Sequence, residues 1–172
     1  MNNIEFVLQE QALGTGHALQ CALPNLLKTN NKILILSGDV PLLTSDTMNI
    51  MITKSQVSLL SATVDNPTGY GRIVQENNKF IKIVEEKDSN QEEKKIQTIN
   101  AGIYCVDSQI LCTYLPMINN NNAQEEYYLT DVFELIRQHE DFVIDVINLP
   151  KNKTIEITGV NTKDQLLSLI HI

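Results

Sequence analysis

The chain has 172 residues, 42% of them hydrophobic, and a formal net charge of −8, which suits one domain with its own core. No apolar run approaches the roughly 20 residues that span a bilayer, and no signal peptide opens the sequence, so we expect a cytoplasmic protein without a membrane segment. Binding to nucleic acid is excluded, because no cluster of lysine and arginine residues interleaves with aromatic residues.

The first part of the chain predicts alternating strands and helices. A short strand over 4–8 precedes an apolar pattern of helical spacing that begins at Thr15, its predicted N-cap. A second strand follows over 33–36, and either Thr44 or Ser45 can cap the helix after it.

The second strand is the stretch around which the sequence is organised. Its four consecutive large aliphatic residues cannot alternate between core and solvent, so we predict a strand buried on both faces of a parallel sheet. The strand breaks at Ser37 and Gly38, and Asp39 follows; ligands of open α/β sheets gather beyond the carboxyl ends of the strands. Asp39 is therefore placed either to hold a divalent cation or to form an ordinary turn.

The remaining predicted elements are strands over 57–64, 72–74, 80–84 and 96–106, a helix over 128–136, a strand over 142–149 and a helix over 161–172. This order predicts an α/β sheet with an antiparallel, β-rich insertion. No glycine-rich turn after the first strand qualifies as a phosphate loop, because Gly14-x-Gly16 lacks a third glycine and a following lysine.

The cysteines and histidines show none of the spacings of metal sites or of nucleophilic catalysis. The cysteines are three in number and form no CxxC pair, which favours free thiols over disulfides. No two histidines stand at metal-ligand spacing, and no GxSxG motif accompanies them. We predict ordinary structural roles for these residues: Cys21, Cys105, Cys112, His17, His139 and His171.

Seven motifs occur in an order and spacing that identify a family. They are QEQALGTGHA at 9–18, GDVPL at 38–42, NPTGYGRI at 66–73, IVEEKD at 83–88, INAGIY at 99–104, NNNAQEEYYLTD at 120–131 and GVN at 159–161. Together they resemble the uridyltransferase domain of the bacterial bifunctional N-acetylglucosamine-1-phosphate uridyltransferase / glucosamine-1-phosphate acetyltransferase. The resemblance covers essentially the whole chain.

The resemblance implies a fold, a reaction and a cofactor. The fold is an α/β, Rossmann-like nucleotidyltransferase with a mostly parallel sheet, in which 1–64 and 108–172 bind nucleotide and metal and 65–107 bind the sugar. The implied reaction joins UTP and N-acetylglucosamine 1-phosphate into UDP-N-acetylglucosamine and releases pyrophosphate, with Mg²⁺ as the cofactor. Such chemistry depends on positioning and electrostatics rather than on a protein nucleophile.

The resemblance also implies roles for individual residues. Gln9 and the Gly14-Thr15 turn hold the uracil; Ser37 and Gly38 belong to the binding stretch; Asp39 and Asn161 hold Mg²⁺; Gly71, Glu85 and Asn100 contact sugar hydroxyls or the ribose. Structural alternatives stay open: a turn for Asp39 and Gly71, a helix cap for Asn161 and a solvated charge for Glu85. Ser37 stands where the family commonly has an aromatic residue, so we expect one contact to be lost.

The resemblance leaves out two parts of the family's protein. The family's first strand and phosphate loop lie before the region that matches, and its acetyltransferase domain lies after it. We therefore expect a chain that is inactive alone and that a second chain supplying the missing segment would complete. Two alternatives stay open: another sugar-1-phosphate nucleotidyltransferase, and a non-catalytic remnant that binds nucleotide sugars.

Overall fold

A computed structural model describes residues 4–28, 30–139, 142–160 and 162–170. The helices are α1 (Thr15–Leu26), α2 (Ser45–Thr53), α3 (Ser108–Tyr114), α4 (Asp131–Arg137) and α5 (Lys163–Ile170). The strands are β1 (Lys32–Ile35), β2 (Val57–Thr63), β3 (Arg72–Glu76), β4 (Lys79–Val84), β5 (Thr98–Asp107) and β6 (Ile144–Leu149). Short 3₁₀ segments lie at Glu93–Lys95, Leu115–Met117 and Lys151–Ile157.

The strands form one mixed sheet whose centre is β5. The order is β4-β3-β5-β2-β6, and β1 pairs with β5 as well. The C-terminal half of β5 pairs with β1, its N-terminal end pairs with β3, and β2 runs along its other edge. Because β5 pairs with strands from both predicted parts of the chain, it joins the 65–107 region directly to the rest of the sheet.

The expectation of a mostly parallel sheet is correct for the direction of the strands and wrong for their pairing. β1, β2, β3 and β6 all run antiparallel to β5 and hence in one direction, but only the β2–β6 pair is parallel among the pairings that the structure describes. The physical reason is that β5 lies between strands that would otherwise be neighbours. An antiparallel strand in that place converts parallel contacts into antiparallel ones.

Helices cover both faces of the sheet. On one face, alternate residues of β2 and β5 pack on α3 and α4, with leucines of α1 at the edge of the same cluster: Val57, Leu59, Tyr104, Val106, Leu111, Phe133, Leu19 and Leu23. On the other face, the intervening residues pack on α2 and on the 151–157 segment: Leu60, Ala62, Ile103, Cys105, Met51 and Ile157. β2 is therefore buried on both sides, as its continuous apolar run predicts.

β1 does not have the full burial predicted for it. All four of its residues are only half-buried, and the next residue, Leu36, is 49% exposed. Within the described ranges β1 pairs with β5 alone, so one edge of the strand has no neighbour that could cover its side chains. The apolar run predicts the strand correctly but not the covering of both its sides.

Several local predictions are confirmed and others are wrong. Thr44 caps α2, because its side chain accepts a hydrogen bond from the Thr47 backbone N–H. Thr15 is not the N-cap of α1, since Gly14 occupies that position and Thr15 is the first helical residue. Residues 4–8 form no strand, and Phe6 is 92% exposed, because no strand edge pairs with this segment.

Two further findings concern the state of the cysteines and the prediction that the chain has no membrane segment. The three cysteines are free thiols, and Cys105 is buried while the other two are half-buried. Of the helices that the structure describes, none has the length and apolar content needed to cross a membrane.

Candidate functional site

A cleft of about 570 Å³ opens between the end of β1 and the N-terminal half of β5. Its walls also include the start of α1, the residue after β4 and the residues before α4. Six of the residues assigned to the site from sequence line this single cavity: Thr15, Ser37, Gly38, Asp39, Glu85 and Asn100. The fold thus brings together side chains that lie up to 85 positions apart in the sequence.

Asp39 lies at the open side of this cleft. Its side chain is exposed and makes no hydrogen bond or ion pair with the described part of the chain, so the carboxylate is available to a ligand. Its backbone carbonyl accepts a hydrogen bond of 2.8 Å from the Val160 N–H. Asn161, the predicted partner of Asp39, lies outside the described residues, but its neighbour Val160 is in contact with Asp39.

A buried glutamate fixes the segment that leads to Val160. The Glu156 side chain is only 4% exposed, and its Oε2 accepts hydrogen bonds from Thr44 Oγ1 at 2.9 Å and from the Thr44 N–H at 3.2 Å. Burial acts to raise the pKa of Glu156, but hydrogen bonds from Thr47 and Thr44 outweigh it and keep that pKa below its usual value. The 151–160 segment is thereby tied to the start of α2, close to the Asp39 turn.

The Gly14–Gly16 turn is interlocked with the segment before α4. Gly14 has φ 109°, and a Cβ on it would lie 2.6 Å from the Tyr127 carbonyl oxygen. The Gly16 N–H donates to the same oxygen at 2.8 Å, and the Leu129 N–H donates to Thr15 Oγ1 at 3.1 Å. The two glycines therefore serve close approach between two backbones.

Gln9 lies beside this turn rather than in the cleft wall. Its Nε2 donates to the Gly14 carbonyl oxygen at 3.1 Å and contacts His17 Nδ1 at 2.9 Å. The predicted uracil site, made of Gln9, Gly14 and Thr15, is therefore contiguous in the structure.

Glu85 is a partly buried wall of the cleft and not a solvated surface charge. Thr130 Oγ1 donates to its Oε1 at 3.1 Å. A Cβ on Gly71 would lie 3.2 Å from Glu85 Oε2, so the glycine leaves room for this carboxylate. Burial raises the pKa of Glu85, the hydrogen bond from Thr130 opposes that shift, and the charge of Asp88 adds to it.

Asn100 is held by its neighbours on β5. Its Nδ2 donates to the Tyr104 hydroxyl at 2.7 Å, and its Oδ1 accepts from the Gly102 N–H at 3.2 Å. The Ser37 hydroxyl donates to the Gly102 carbonyl oxygen at 3.3 Å, which links the Asp39 turn to the same strand.

Thr130 lines the cleft as well, and Asp131 follows it in the chain; the resemblance implies no role for either residue. The signal was present, because both fall within the YYLTD motif at 127–131. Asp131 has its pKa raised to about 6 by burial and by the charges of Glu134, Glu85 and Asp88. This end of the cleft is therefore strongly acidic and suits a neutral ligand with hydroxyl donors rather than a phosphate.

The two ends of the cleft thus differ in what they can bind. Hydroxyl groups can donate hydrogen bonds to the Glu85 carboxylate. An anion beside Asp39 is repelled by its carboxylate unless a cation lies between them. Among the described residues no group of three or more His, Cys, Asp or Glu side chains could hold a metal. A metal at Asp39 would therefore take few protein ligands and complete its shell with water or with ligand oxygens, as Mg²⁺ commonly does.

Comparisons with known proteins show the family to which the chain belongs. A family model described as nucleotidyl transferase matches residues 1–149. The chain is 46% identical over 171 residues to a probable UDP-N-acetylglucosamine pyrophosphorylase of Acanthamoeba polyphaga mimivirus, covering 96% of this chain and 67% of the relative. It is 42% identical to the bifunctional protein GlmU of Geotalea uraniireducens, covering 96% of this chain and 37% of that protein.

A solved structure shows the same fold. A protein of Bacillus anthracis, described as a candidate glucose-1-phosphate thymidylyltransferase and solved with sucrose, superposes with a TM-score of 0.64. The match covers 93% of this chain and 61% of that one at 21% identity, so it concerns the fold alone. It confirms the nucleotidyltransferase fold that the sequence predicts.

Proposed function

Because this chain belongs to the nucleotidyl transferase family, we propose that its cleft serves the chemistry of a UDP-N-acetylglucosamine pyrophosphorylase. The proposed reaction joins UTP and N-acetylglucosamine 1-phosphate and yields UDP-N-acetylglucosamine and pyrophosphate. The names of the mimiviral and bacterial relatives support this choice of substrates. The chain spans about two thirds of the length of the first relative and little more than a third of the second, so the activity of the whole protein is part of the proposal.

We assign each part of the product a place from the residues that line the cleft and from the Gly14–Gly16 turn beside it. The uracil lies at Gln9 and the Gly14-Thr15 turn, which offer an amide and backbone groups. The N-acetylglucosamine lies at Glu85, whose partly buried carboxylate accepts hydrogen bonds from sugar hydroxyls. The diphosphate lies beside Asp39, whose carboxylate is exposed.

Enzymes of this family generally use a divalent metal ion, and the metal proposed here is Mg²⁺. Its protein ligands would be Asp39 and Asn161, an exposed carboxylate and an amide oxygen. The residues present fit this ion, because a hard cation with one or two protein ligands and several waters matches the binding mode of Mg²⁺. The contact between Val160 and Asp39 supports the pairing of the two ligands.

The chemistry is a nucleotidyl transfer without a covalent enzyme intermediate. A phosphate oxygen of the sugar phosphate attacks the α-phosphorus of UTP in line, and the bond to the β-phosphate breaks as pyrophosphate leaves. When bound, the metal supplies positive charge to the phosphate oxygens. The protein holds the uridine beside Thr15 and the sugar beside Glu85 in one cleft, so that the two phosphates meet beside Asp39.

The observation that carries the proposal is the single cavity that Thr15, Asp39 and Glu85 share. These residues come from three separate motifs and from three places in the fold: the start of α1, the turn after β1 and the residue after β4. Each supplies what one part of a nucleotide sugar needs: a base-binding turn, a metal-binding carboxylate and a hydroxyl-binding carboxylate.

The test is titration of the full chain with UDP-N-acetylglucosamine and Mg²⁺ by calorimetry. Asp39→Asn removes the charge of the side chain and keeps its shape. It should weaken binding of the nucleotide sugar by about 10- to 100-fold, because the metal loses its proposed carboxylate ligand. Asp65→Asn is the control, since Asp65 is also exposed and lies outside the cleft. The control should bind as the unaltered chain does.

Other outcomes separate the alternatives. Tighter binding of UDP-glucose or dTDP-glucose would indicate another sugar-1-phosphate nucleotidyltransferase. Binding that is equal in the unaltered chain and in Asp39→Asn would favour a remnant that holds nucleotide sugars without a working metal site. An absence of binding by any nucleotide sugar would contradict the proposed function.

A further inference from the structure

The Gln9 side chain is held by two contacts that both involve its nitrogen. Nε2 lies 3.1 Å from the Gly14 carbonyl oxygen and 2.9 Å from His17 Nδ1. Gln9 is half-buried, and His17 lies on the first turn of α1. The histidine therefore belongs to the surroundings of the predicted base site, although its spacing in the sequence points to an ordinary structural role.

These two contacts fix both the amide and the imidazole. The Gly14 carbonyl oxygen can only accept, so the amide atom facing it must be the nitrogen and not the oxygen. The second hydrogen on Nε2 then points at His17 Nδ1, which must accept it. A neutral His17 consequently carries its proton on Nε2, which lies 3.8 Å from Cys21 Sγ.

The remaining atom of the amide is its oxygen. Among the residues that the structure describes, Gln9 Oε1 accepts no hydrogen bond, so it is free to receive one from a ligand. A carbonyl oxygen can accept from the N3–H of uracil, which is a donor. It is repelled by N3 of cytosine, which is an acceptor at the same place on the ring.

We propose that His17 is a positioning residue that sets the pyrimidine specificity of the site, by holding the Gln9 amide with its oxygen toward the base. This inference rests on the proposed function, which places uracil at Gln9. Without the acceptor at Nδ1, the amide loses one of the two contacts that define its orientation. Its NH₂ group can then turn toward the base and donate to cytosine.

The test compares the affinities of the full chain for UDP and CDP, which differ only in the base. The unaltered chain should prefer UDP. His17→Asn keeps an acceptor near the place of Nδ1 and should retain that preference. His17→Phe keeps the ring without an acceptor, and His17→Gln puts its amide nearer the place of Nε2. Both variants should lower the preference in affinity for UDP over CDP by about 3- to 10-fold.

The ratio distinguishes positioning from a structural role. A purely structural histidine would change both affinities equally, and the ratio would stay the same in His17→Phe and His17→Gln, which would overturn the inference. Cys21→Ala is the control on the same helix, because it removes the neighbour of Nε2 and leaves the Gln9 contact intact. Its ratio should equal that of the unaltered chain.

A second measurement needs no variant. Long-range ¹H–¹⁵N correlation spectra of the unaltered chain should show His17 Nδ1 without a proton at pH 8. A proton on Nδ1 would overturn the inference directly. If the chain bound neither UDP nor CDP, the proposed function and the inference would fail together, whereas a preference for UDP that His17→Phe and His17→Gln leave intact would overturn the inference alone.

Discussion

Two turns contribute to the cleft, and they differ in what holds their shape. The Gly14–Gly16 turn is locked by the 127–129 segment through two hydrogen bonds of 2.8 and 3.1 Å, and the adjacent Leu13 carbonyl oxygen accepts a third from the Tyr127 N–H at 2.8 Å. The Ser37–Asp39 turn accepts a hydrogen bond from the Val160 N–H at 2.8 Å and donates a longer one, of 3.3 Å, from the Ser37 hydroxyl to the Gly102 carbonyl oxygen. A Cβ on Gly38 would meet nothing within 4 Å. One turn is thus fixed by the protein, and the other is left open toward the cleft.

The difference shows that similar glycines can do different work. At Gly14 and Gly16 the absence of a side chain is required by a neighbouring backbone, so these positions contribute to stability. At Gly38 the surrounding protein does not require the absence of a side chain, so we expect any such requirement to come from a ligand in the cleft. Substitutions in the two turns should therefore separate loss of stability from loss of binding.

Gly16→Ala should have the largest effect on stability. Alanine favours a helix by about 1 kcal/mol over glycine, but here its Cβ would contact Ile118 Cδ1 and lie 2.9 Å from the Tyr127 carbonyl oxygen. The backbone oxygen cannot move without losing its hydrogen bond to Gly16. We expect a net loss of about 3 kcal/mol in the free energy of unfolding, measured in urea.

Gly38→Ala is the matched substitution in the open turn. It should change the free energy of unfolding by less than about 0.5 kcal/mol, because the position is exposed and uncrowded. Equal losses in the two variants would contradict the distinction between a locked turn and an open one.

Thr15→Val should have an intermediate effect. The substitution keeps the shape of the side chain but removes the oxygen that accepts from the Leu129 N–H. An N–H left without a partner costs about 1 kcal/mol in a partly buried position. The melting temperature measures the loss, and Thr15→Ser, which keeps the hydroxyl, is the control. An unchanged melting temperature in Thr15→Val, together with weaker nucleotide binding, would assign Thr15 to the ligand instead of to the lock.

Much of the fold could be predicted from the sequence, because local patterns carry it. The continuous apolar run of β2 and the Thr44 cap are examples in which neighbours along the chain determine the outcome. α3 went unpredicted, since seven residues after a long strand show too few turns for a helical period to be seen. The exposure of β1 could not be predicted either, because it depends on which strand edges are paired.

The candidate site could likewise be predicted only in part from the sequence. The motifs indicate Asp39 and Glu85 as site residues, but they do not show that Glu85 is partly buried. Nor do they show that Thr130, 45 positions further along the chain, donates a hydrogen bond to its carboxylate. The lock on the Gly14–Gly16 turn joins positions more than 100 residues apart, which no spacing within one motif reveals. Asn161 lies outside the described residues, so its role stays a prediction.

Glu85→Gln extends the comparison to a partly buried charge, which we expect to lower the stability of the fold and to strengthen ligand binding. The folded state raises the pKa of Glu85 above its ordinary 4.5, mainly through burial. The folded protein therefore holds this proton more tightly than the unfolded chain does, and the contribution of Glu85 to stability is lost as the pH rises through the folded-state pKa. The neutral glutamine should raise the free energy of unfolding at pH 8 by about 0.5–1 kcal/mol and have no effect at pH 4.

The same variant should bind UDP-N-acetylglucosamine about tenfold more weakly, because sugar hydroxyls lose a charged acceptor. Glu86→Gln is the matched control on the next residue. The hydrogen bond from Arg72 holds the pKa of Glu86 below its usual value, and the carboxylate also accepts from the Gly69 N–H. Its removal should lower stability at pH 8, the opposite sign to Glu85→Gln. Unchanged stability in Glu85→Gln at pH 8 would mean that Glu85 is an ordinary surface charge, whereas opposite signs in the two variants with a binding loss at Glu85 identify it as a group whose charge is kept for the ligand.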